Sequence, residues 1–483
     1  MFFWINVTII VLYLILVISA IIAVMLDHHQ PAEMIAWIVV IISIPILGLV
    51  LYYFFGQNIR RKRLLDRKSV DLLTQKIMAK YVSQAAYVKE DIEDAQLIKF
   101  FKMRSIALPF GGNKAKLYTY GADFLYDLLR DIGRAKHHVH LEYFLIEDDA
   151  VGQLVRDALI DAVDRGVMVR LIYDDVGCWT VKNRFFNEMK EAGIEVLCFM
   201  PVHFPSLAHR VNYRNHRKLT IIDGKVGYIG GMNLALRYVR GINGGDWRDM
   251  NMRLVGGGVY GMQLVFLTDW FMATRQMITD PNYYPIDGNN GENGLVRPLT
   301  GGALVQIVIS APFGVWPNIM LGYNKVLLSA RKYVYLQTPY FMPTQSLMEA
   351  LQTAAMSGVR VQIMTAKKPG GFWLTWANES YFDEMLRAGV EIYLYHKGML
   401  HSKTLVADDR VCSIGSANLD FRSMLDTYED TAFVYDQELS CQVRELFEEA
   451  RRDCIKLDFR QWQKRNLRRR LLESFVRLFT PLF

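Results

Sequence analysis

Residues 401–408 read HSKTLVAD, and residues 216–223 read HRKLTIID. Both place His, Lys and Asp at the same spacing, as His216, Lys218 and Asp223 and again as His401, Lys403 and Asp408. Side chains two apart on a strand leave from one face. The spacing therefore predicts that each His shares a space with its Lys. Each Asp is an odd number of residues away and should point the other way, as a turn cap or structural ion pair. His216 to His401 and Asp223 to Asp408 both span 185 residues, and the sequences GGMN (230–233) and GSAN (415–418) keep that offset. One HxKxxxxD is expected by chance about 0.03 times in a chain of this size. Two copies at one offset, each followed by G-[GS]-x-N, mark a duplication.

The duplication extends outward. GRAKHHVHLEYF (133–144) matches SARKYVYLQTPYF (329–341), RGVMVRLI (165–172) matches SGVRVQIM (357–364), and AGIEVL (192–197) matches AGVEIY (388–393). Strands alternating with amphipathic helices predict an α/β fold with a mixed or parallel sheet flanked by helices. The expected organisation is two domains of one fold, 113–279 and 303–458, related by a pseudo-two-fold axis. Residues 280–302, rich in Gly, Asn and Pro, read as the linker between them. A mixed-charge helical connector is expected at 61–112.

Two lysines and two asparagines, Lys218, Lys403, Asn233 and Asn418, suit a phosphate that gains negative charge in a transition state. Two histidines suit displacement at phosphorus. One neutral imidazole attacks and a protonated one opposite hands its proton to the leaving oxygen. In-line geometry needs the two to face each other, so each half should supply half of one site. Asp249 in DWRDMNMRL and Glu429 in DTYED are candidates to orient the imidazoles, and Glu142 stands near a strand end where it could reach the site. The expected site holds no metal and no cofactor, since no HExxH or dense carboxylate cluster is present.

Other motifs carry less. His137, His138 and His140 make a group of metal-ligand type, but their counterparts are Lys332, Tyr333 and Tyr335, which favours a structural role. GGGVYG (256–261) matches GxGxxG, yet it follows the His/Lys strand instead of opening a dinucleotide domain.

The chain has 483 residues, is 52% hydrophobic and carries a formal charge of +7. Five cysteines with no CxxC pair read as reduced thiols in a cytosolic environment. Two apolar runs, Phe2–Leu26 and Ile35–Phe55, predict a transmembrane hairpin over 1–60. The basic cluster Arg60–Arg63, with Arg67 and Lys68, should stay cytoplasmic and leave the DHHQPAE turn (27–33) outside. At the other end, 459–483 predicts one basic amphipathic helix on an anionic membrane surface, with Trp462, Leu467, Leu471, Phe475, Leu478 and Phe479 at near-helical spacing.

The paired HxKxxxxD…G[GS]xN sequences resemble the phospholipase D superfamily. The N-terminal spans, the basic junction, LEYF, QTPYF and the final TPLF resemble the bacterial cardiolipin synthases over essentially the whole chain. That resemblance implies a phosphatidyltransferase of the cytoplasmic (inner) membrane, multi-pass, with its catalytic domains on the cytoplasmic side. It would join two phosphatidylglycerol molecules into cardiolipin and glycerol through a phosphohistidine. The implied catalytic residues are those of the motif, His216, Lys218, Asp223, His401, Lys403 and Asp408. Lys218, Asn233, Lys403 and Asn418 would hold the phosphate, and the superfamily's usual order gives the attack to His216. Asp426 and Thr427 depart from the family's pattern, where an Asn is expected near Glu429. Phosphatidylglycerol, other anionic phospholipids and the membrane are the expected partners, and nucleic acid is not. The alternatives are a phosphodiester hydrolase of the same chemistry and a non-catalytic lipid-binding scaffold. Acceptor preference, oligomeric state and lipid entry route stay open at this level.

Overall fold

The structure is a computed structural model that describes residues 2–26, 31–44, 46–52, 94–104, 107–202, 213–242, 244–278, 280–283, 302–312, 314 and 316–480. The basic cluster at 60–68, the DHHQPAE turn up to residue 30, most of the connector, residues 284–301 of the linker and the last three residues of TPLF lie outside these.

The apolar N-terminus forms α1 (Phe2–Leu26), which at 1.5 Å per residue is about 37 Å long, enough for a bilayer's hydrocarbon core. The second apolar run does not form one helix. It is divided into α2 (Pro31–Ser43) and α3 (Leu47–Leu51). Ile46, which precedes α3, has a left-handed φ of 66°, and Pro45 in the sequence has no N–H to carry a helix onward. Among the described residues one helix is long and apolar enough to cross a membrane.

The globular body is built on a fifteen-stranded mixed sheet. Its first half is β1 (Phe110–Tyr118), β2 (His138–Tyr143), β3 (Met168–Asp174), β4 (Glu195–Phe199), β5 (Lys218–Ile222), β6 (Val226–Gly230) and β8 (Asn251–Val255), with the short β7 (Asp246–Arg248) outside the sheet. Its second half is β9 (Ala303–Ser310), β10 (Tyr333–Thr338), β12 (Arg360–Ala366), β13 (Glu391–Tyr395), β15 (Thr404–Ala407), β16 (Val411–Gly415), β18 (Glu429–Tyr435) and β19 (Cys454–Lys456). Three short strands stand apart: β11 (Phe341–Met342), β14 (Gly398–Leu400) and β17 (Leu419–Asp420). The spatial order is β4-β3-β2-β5-β6-β8-β1 followed by β9-β18-β16-β15-β10-β12-β13-β19.

The expected pair of sheets is thus one sheet. β1 and β9 meet antiparallel at Phe110–Val305 and Asn113–Ala303 across an irregular register. Asn113 secures the seam. Its Nδ2 donates to the carbonyls of Phe110 (2.7 Å) and Ala303 (2.9 Å), and its Oδ1 accepts from Gly258 N (2.8 Å). The parallel strands β2, β3, β10 and β12 are buried on both faces, but not by apolar side chains alone: β2 sets Val139 and Leu141 in one core and His138, His140 and Glu142 on the opposite face. One apolar core spans the seam, bringing Leu254, Val259 and Phe266 together with Val305, Tyr335 and Val434. Each fully buried Leu, Ile or Phe contributes about 1.5–3 kcal/mol relative to exposure.

Two details correct the sequence reading. Pro281–Tyr283 is a 3-10 turn whose Tyr283 is buried against the rings of His137, His138 and His140, so the linker's first residues belong to the body. The C-terminal segment is two helices, Phe459–Gln463 and Leu467–Arg477. Asn466 starts the second by accepting from Arg469 N at 2.8 Å, as an N-cap must to satisfy an orphan amide.

Candidate active site

The carboxyl ends of β2 and β10 define one edge of the sheet. Tyr143, the last residue of β2, pairs with Lys218, and Gln337 near the end of β10 pairs with Thr404. Both His–Lys segments therefore arrive at that edge. Neither His lies within a regular strand. His216 precedes β5, of which Lys218 is the first residue, and His401 and Lys403 both precede β15.

Two short crossings join the halves here. β14 runs parallel to β7, with Leu400 opposite Arg248, and Asn215 bridges to Tyr428. His401 N donates to Arg248 O at 2.7 Å, and His216 N donates to Tyr428 O at 2.9 Å. Arg248 and Tyr428 immediately precede Asp249 and Glu429. Each imidazole thereby meets the carboxylate of the other half. His216 Nδ1 lies 3.0 and 3.2 Å from the Glu429 oxygens, and His401 Nδ1 lies 2.6 Å from Asp249 Oδ2.

The two carboxylates are held differently. Glu429 accepts from Ser416 Oγ and from Thr427 Oγ1 (2.8 Å). Gly231 stands where Ser416 does in the duplication, and a Cβ added there would lie 2.1 Å from Asp249 Oδ1. A glycine is what allows the shorter carboxylate so close to the chain. Sequence reasoning did not single out Ser416 or Gly231 for this role. The offset of 185 within GGMN and GSAN was the available signal. Thr427, noted only as a departure, is a direct partner of Glu429.

Lys218 Nζ donates to His216 O, and Lys403 Nζ donates to His401 O while lying 2.6 Å from His401 Nδ1 and 3.8 Å from Asp249. Both ammoniums are buried in a low-dielectric space, which disfavours their charge. Burial holds Lys218 down at about 7 and Lys403 at about 8 against carboxylates that pull upward. Burial also lowers both imidazoles. Burial and then the Lys403 charge take His401 to about 3, and His216 is lowered by burial although Glu429 opposes it. Burial would raise the Glu429 carboxyl, but His216, Lys218 and Ser416 outweigh it and hold it at about 2. The coupling crosses the halves, for Lys403 lowers His216 and Lys218 lowers His401.

Aromatic rings line the imidazoles. Phe144 lies 5.0 Å from His216, and Tyr238 and Trp247 lie 6.0 and 5.4 Å from His401. Phe144 belongs to the LEYF stretch; Tyr238 and Trp247 were missed, since nothing local marks them. Asn233 is beside the site but engaged, donating to Tyr238 Oη and accepting from Leu145 N at 3.2 Å. Asn418 is buried, with an Oδ1 that has no partner among the described residues.

Asp223 and Asp408, counted with the motif's catalytic members, are not in this space. They sit at the far ends of β5 and β15 with φ of 53° and 54°. Asp223 accepts from the backbone N–H groups of Lys136, His137 and His138 at 2.9, 2.7 and 3.0 Å. Asp408 does the same for Arg331, Lys332 and Tyr333 at 2.7, 2.8 and 2.9 Å. Each fastens the loop that leads into the neighbouring strand. Glu142 lies one layer below the site. It accepts from Asn215 Nδ2 next to His216. His138 and His140 are bridged by Gln263 at 2.9 and 2.8 Å, and His140 meets Arg170 at 3.3 Å. Among the described residues no group of three His, Cys, Asp or Glu is arranged to hold a metal.

A mixed sheet carrying two His–Lys segments on one edge, each His bound to the other half's carboxylate, is the phospholipase D-like architecture. The family model described as "Cardiolipin synthase, PLD-like domain" matches residues 128–243 and 323–451, and "Phospholipase_D-nuclease N-terminal" matches 11–57. The chain is 37% identical to the major cardiolipin synthase ClsA of Bacillus subtilis strain 168, over 96% of this chain and 97% of that protein. It is 35% identical to cardiolipin synthase 2 of Bacillus anthracis, over 95% of this chain and 88% of that one. Among solved structures, the phosphatidylserine synthase of Haemophilus influenzae Rd KW20 shares the fold, with a TM-score of 0.62 at 15% identity, covering 80% of this chain and all of that one. The chain belongs to the cardiolipin synthase family.

Proposed function

We propose that the protein is a cardiolipin synthase, a phosphatidyltransferase that joins two phosphatidylglycerol molecules and releases glycerol. Full-length similarity to curated cardiolipin synthases supports the activity. The observation that carries the mechanism is the exchange of carboxylates between the halves, His216 to Glu429 and His401 to Asp249. A pseudo-two-fold axis between the halves would set the imidazoles opposite each other.

With Nδ1–H donated to a carboxylate, each ring keeps Nε2 for chemistry. His216 Nε2 attacks the phosphorus of the first phosphatidylglycerol. The P–O bond to glycerol breaks, and the glycerol oxygen takes a proton from His401. The hydroxyl of the second phosphatidylglycerol then gives its proton to His401 and attacks phosphorus, the P–N bond breaks, and His216 is released. Lys218 and Lys403 offset the phosphoryl charge, and Asn233 and Asn418 border it. Burial keeps His216 neutral and nucleophilic. Burial and the Lys403 charge lower His401, and the incoming phosphodiester anion would favour its protonated form. Asp223 and Asp408 serve as loop fasteners without touching substrate. The enzyme would work on anionic phospholipids as a multi-pass protein of the bacterial cytoplasmic (inner) membrane. Both ends of its N-terminal hairpin would lie in the cytoplasm, as would the catalytic body.

The test is mass spectrometry of the products from purified enzyme given phosphatidylglycerol as the only lipid. Cardiolipin with matching free glycerol is the expected outcome. Phosphatidic acid with glycerol and no cardiolipin would mean that water resolves the intermediate and would overturn the transferase.

A further inference from the structure

The catalytic edge carries four large rings that stand about half exposed, Phe372 and Trp373 packed in a cluster with Trp376. Trp179 is 58% exposed, Trp316 48%, Phe372 55% and Trp373 46%. Topology puts all four at that edge. Trp179 follows β3, and its neighbour Cys178 meets the carbonyl of Phe144, whose ring touches His216. Trp316 follows β9, whose last residue Ser310 pairs with Glu429. Phe372 and Trp373 open the helix Gly371–Glu379 that follows β12. That helix is tied to the site floor, since Asn378 Oδ1 accepts from Phe341 N at 2.6 Å and β11 pairs with β17, next to Asn418.

The helix Leu467–Arg477 packs against this same helix, and it is amphipathic in the inverted sense. Its inward side is mostly charged, with Val476 as the one buried apolar residue: Glu473 is buried, Arg469 pairs with Glu379 and Glu473, and Arg477 pairs with Glu384. Its apolar side faces out, with Leu467, Leu471, Leu472, Phe475 and Leu478 all exposed. A helix stabilised by burial against its own protein would do the reverse. Arg468 and Arg470 are exposed beside these leucines, and Lys367 and Lys368 are exposed just before Phe372.

We infer that the rings at the catalytic edge and the outward face of Leu467–Arg477 form one docking surface for an anionic lipid bilayer, which presses the opening of the site onto the headgroups. Aromatic rings suit the polar–apolar boundary of a membrane, and an apolar helix face rimmed by cations suits an anionic leaflet. A second copy of the chain on the same face would set Arg468 and Arg470 against themselves. The sequence marks only the C-terminal helix. The surface goes beyond it by fixing which edge of the body meets the membrane and giving phospholipid a lateral route to His216 and His401. The choice of substrate rests on the phosphatidyl-transfer reading.

Full-length protein, held in the membrane by its N-terminus in any case, separates docking from tethering. F372S/W373S would be assayed on long-chain phosphatidylglycerol in vesicles and on dispersed short-chain phosphatidylglycerol. Vesicle turnover should fall about tenfold or more while the dispersed substrate is turned over within about twofold of wild type. Equal rates on both, or equal losses on both, would overturn the docking surface. A second measurement needs no turnover and so stands if the proposed reaction fails. In nanodiscs of phosphatidylglycerol with brominated acyl chains, W373F and W316F should each remove part of the quenched tryptophan fluorescence. Unchanged quenching would overturn the proposal, and self-association that shields these rings from lipid would assign the face to a second copy.

Discussion

His216 Nδ1 lies 3.0 Å from an oxygen of Glu429, 213 residues further along the chain. His401 repeats the relationship with Asp249 at 2.6 Å, reaching 152 residues back. Neither half can orient its own histidine, so the site exists only when both halves are folded and seamed.

Loss of either carboxylate should therefore act on the histidine of the opposite half. E429Q and D249N keep size and lose the charge that fixes the tautomer. Each should lower kcat by about 10²–10⁴-fold with little change in KM. Steady-state kinetics checks this, and H216A and H401A set the floor. With a phosphodiester whose leaving group needs no proton, H401A should still form the covalent intermediate and H216A should not.

The lysines make phosphate binding sensitive to alkali. Lys218 and Lys403 sit near 7 and 8, so raising pH through that window removes their charge in the free enzyme. KM for phosphatidylglycerol should rise between pH 7 and 9 more steeply than kcat changes. Stability should move the other way. Their unfolded pKa is about 10.4, so between roughly pH 7 and 10 the unfolded chain binds protons that the native chain does not. Within that window stability rises with pH and falls as pH drops towards 7. A melting temperature lower at pH 9 than at pH 7 would contradict the buried lysines.

D223N and D408N test the loop fasteners. Asn tolerates the left-handed φ of these positions, so the change isolates the carboxylate that takes three backbone N–H groups. Each should cost about 1–3 kcal/mol of stability, read as a lower melting temperature. The folded fraction should keep near-normal kcat below that temperature. A loss of kcat comparable with H216A, without loss of stability, would place these residues in the chemistry.

G231S would copy the serine of the other half's GSAN into the first half's GGMN. Its Cβ meets Asp249 Oδ1 at 2.1 Å, so the carboxylate must move off His401. Activity should drop by about 10²-fold, as expected when a catalytic group is displaced by around an ångström. S416G should cost far less, about 1 kcal/mol of positioning for one lost hydrogen bond, because Thr427 still holds Glu429.

A buried ion pair beneath the site offers a structural control. Arg217 pairs with Asp269, both with side chains almost wholly excluded from solvent. D269A removes the nearest carboxylate and leaves the guanidinium Glu142 at 4.0 Å; breaking the buried pair should destabilise by up to about 3–5 kcal/mol, seen as loss of folded protein before any change in the kinetics of what remains.

What repeats, and what recurs at fixed spacing, is readable in the chain before it folds. The duplication at 185 residues, the α/β alternation, the His–Lys pairs and the candidates Asp249 and Glu429 were all legible, because motif spacing and hydrophobic periodicity are local. Asp223 and Asp408 do lie away from the histidines, capping the loops at Lys136–His138 and Arg331–Tyr333, but strand parity is not the cause, since both histidines precede their strands and each Asp follows the far end. The partners of these residues came from folding. Which carboxylate serves which histidine depends on β7 meeting β14 and Asn215 meeting Tyr428, contacts with no local signature. The fusion of two expected sheets into one depends on the edge pairing of β1 with β9. The outward turn of the C-terminal leucines depends on where Arg469 and Arg477 find their carboxylates, on the helices Gly371–Glu379 and Phe382–Arg387. Periodicity tells that a helix has two faces; which one is buried is settled by the surface it lands on.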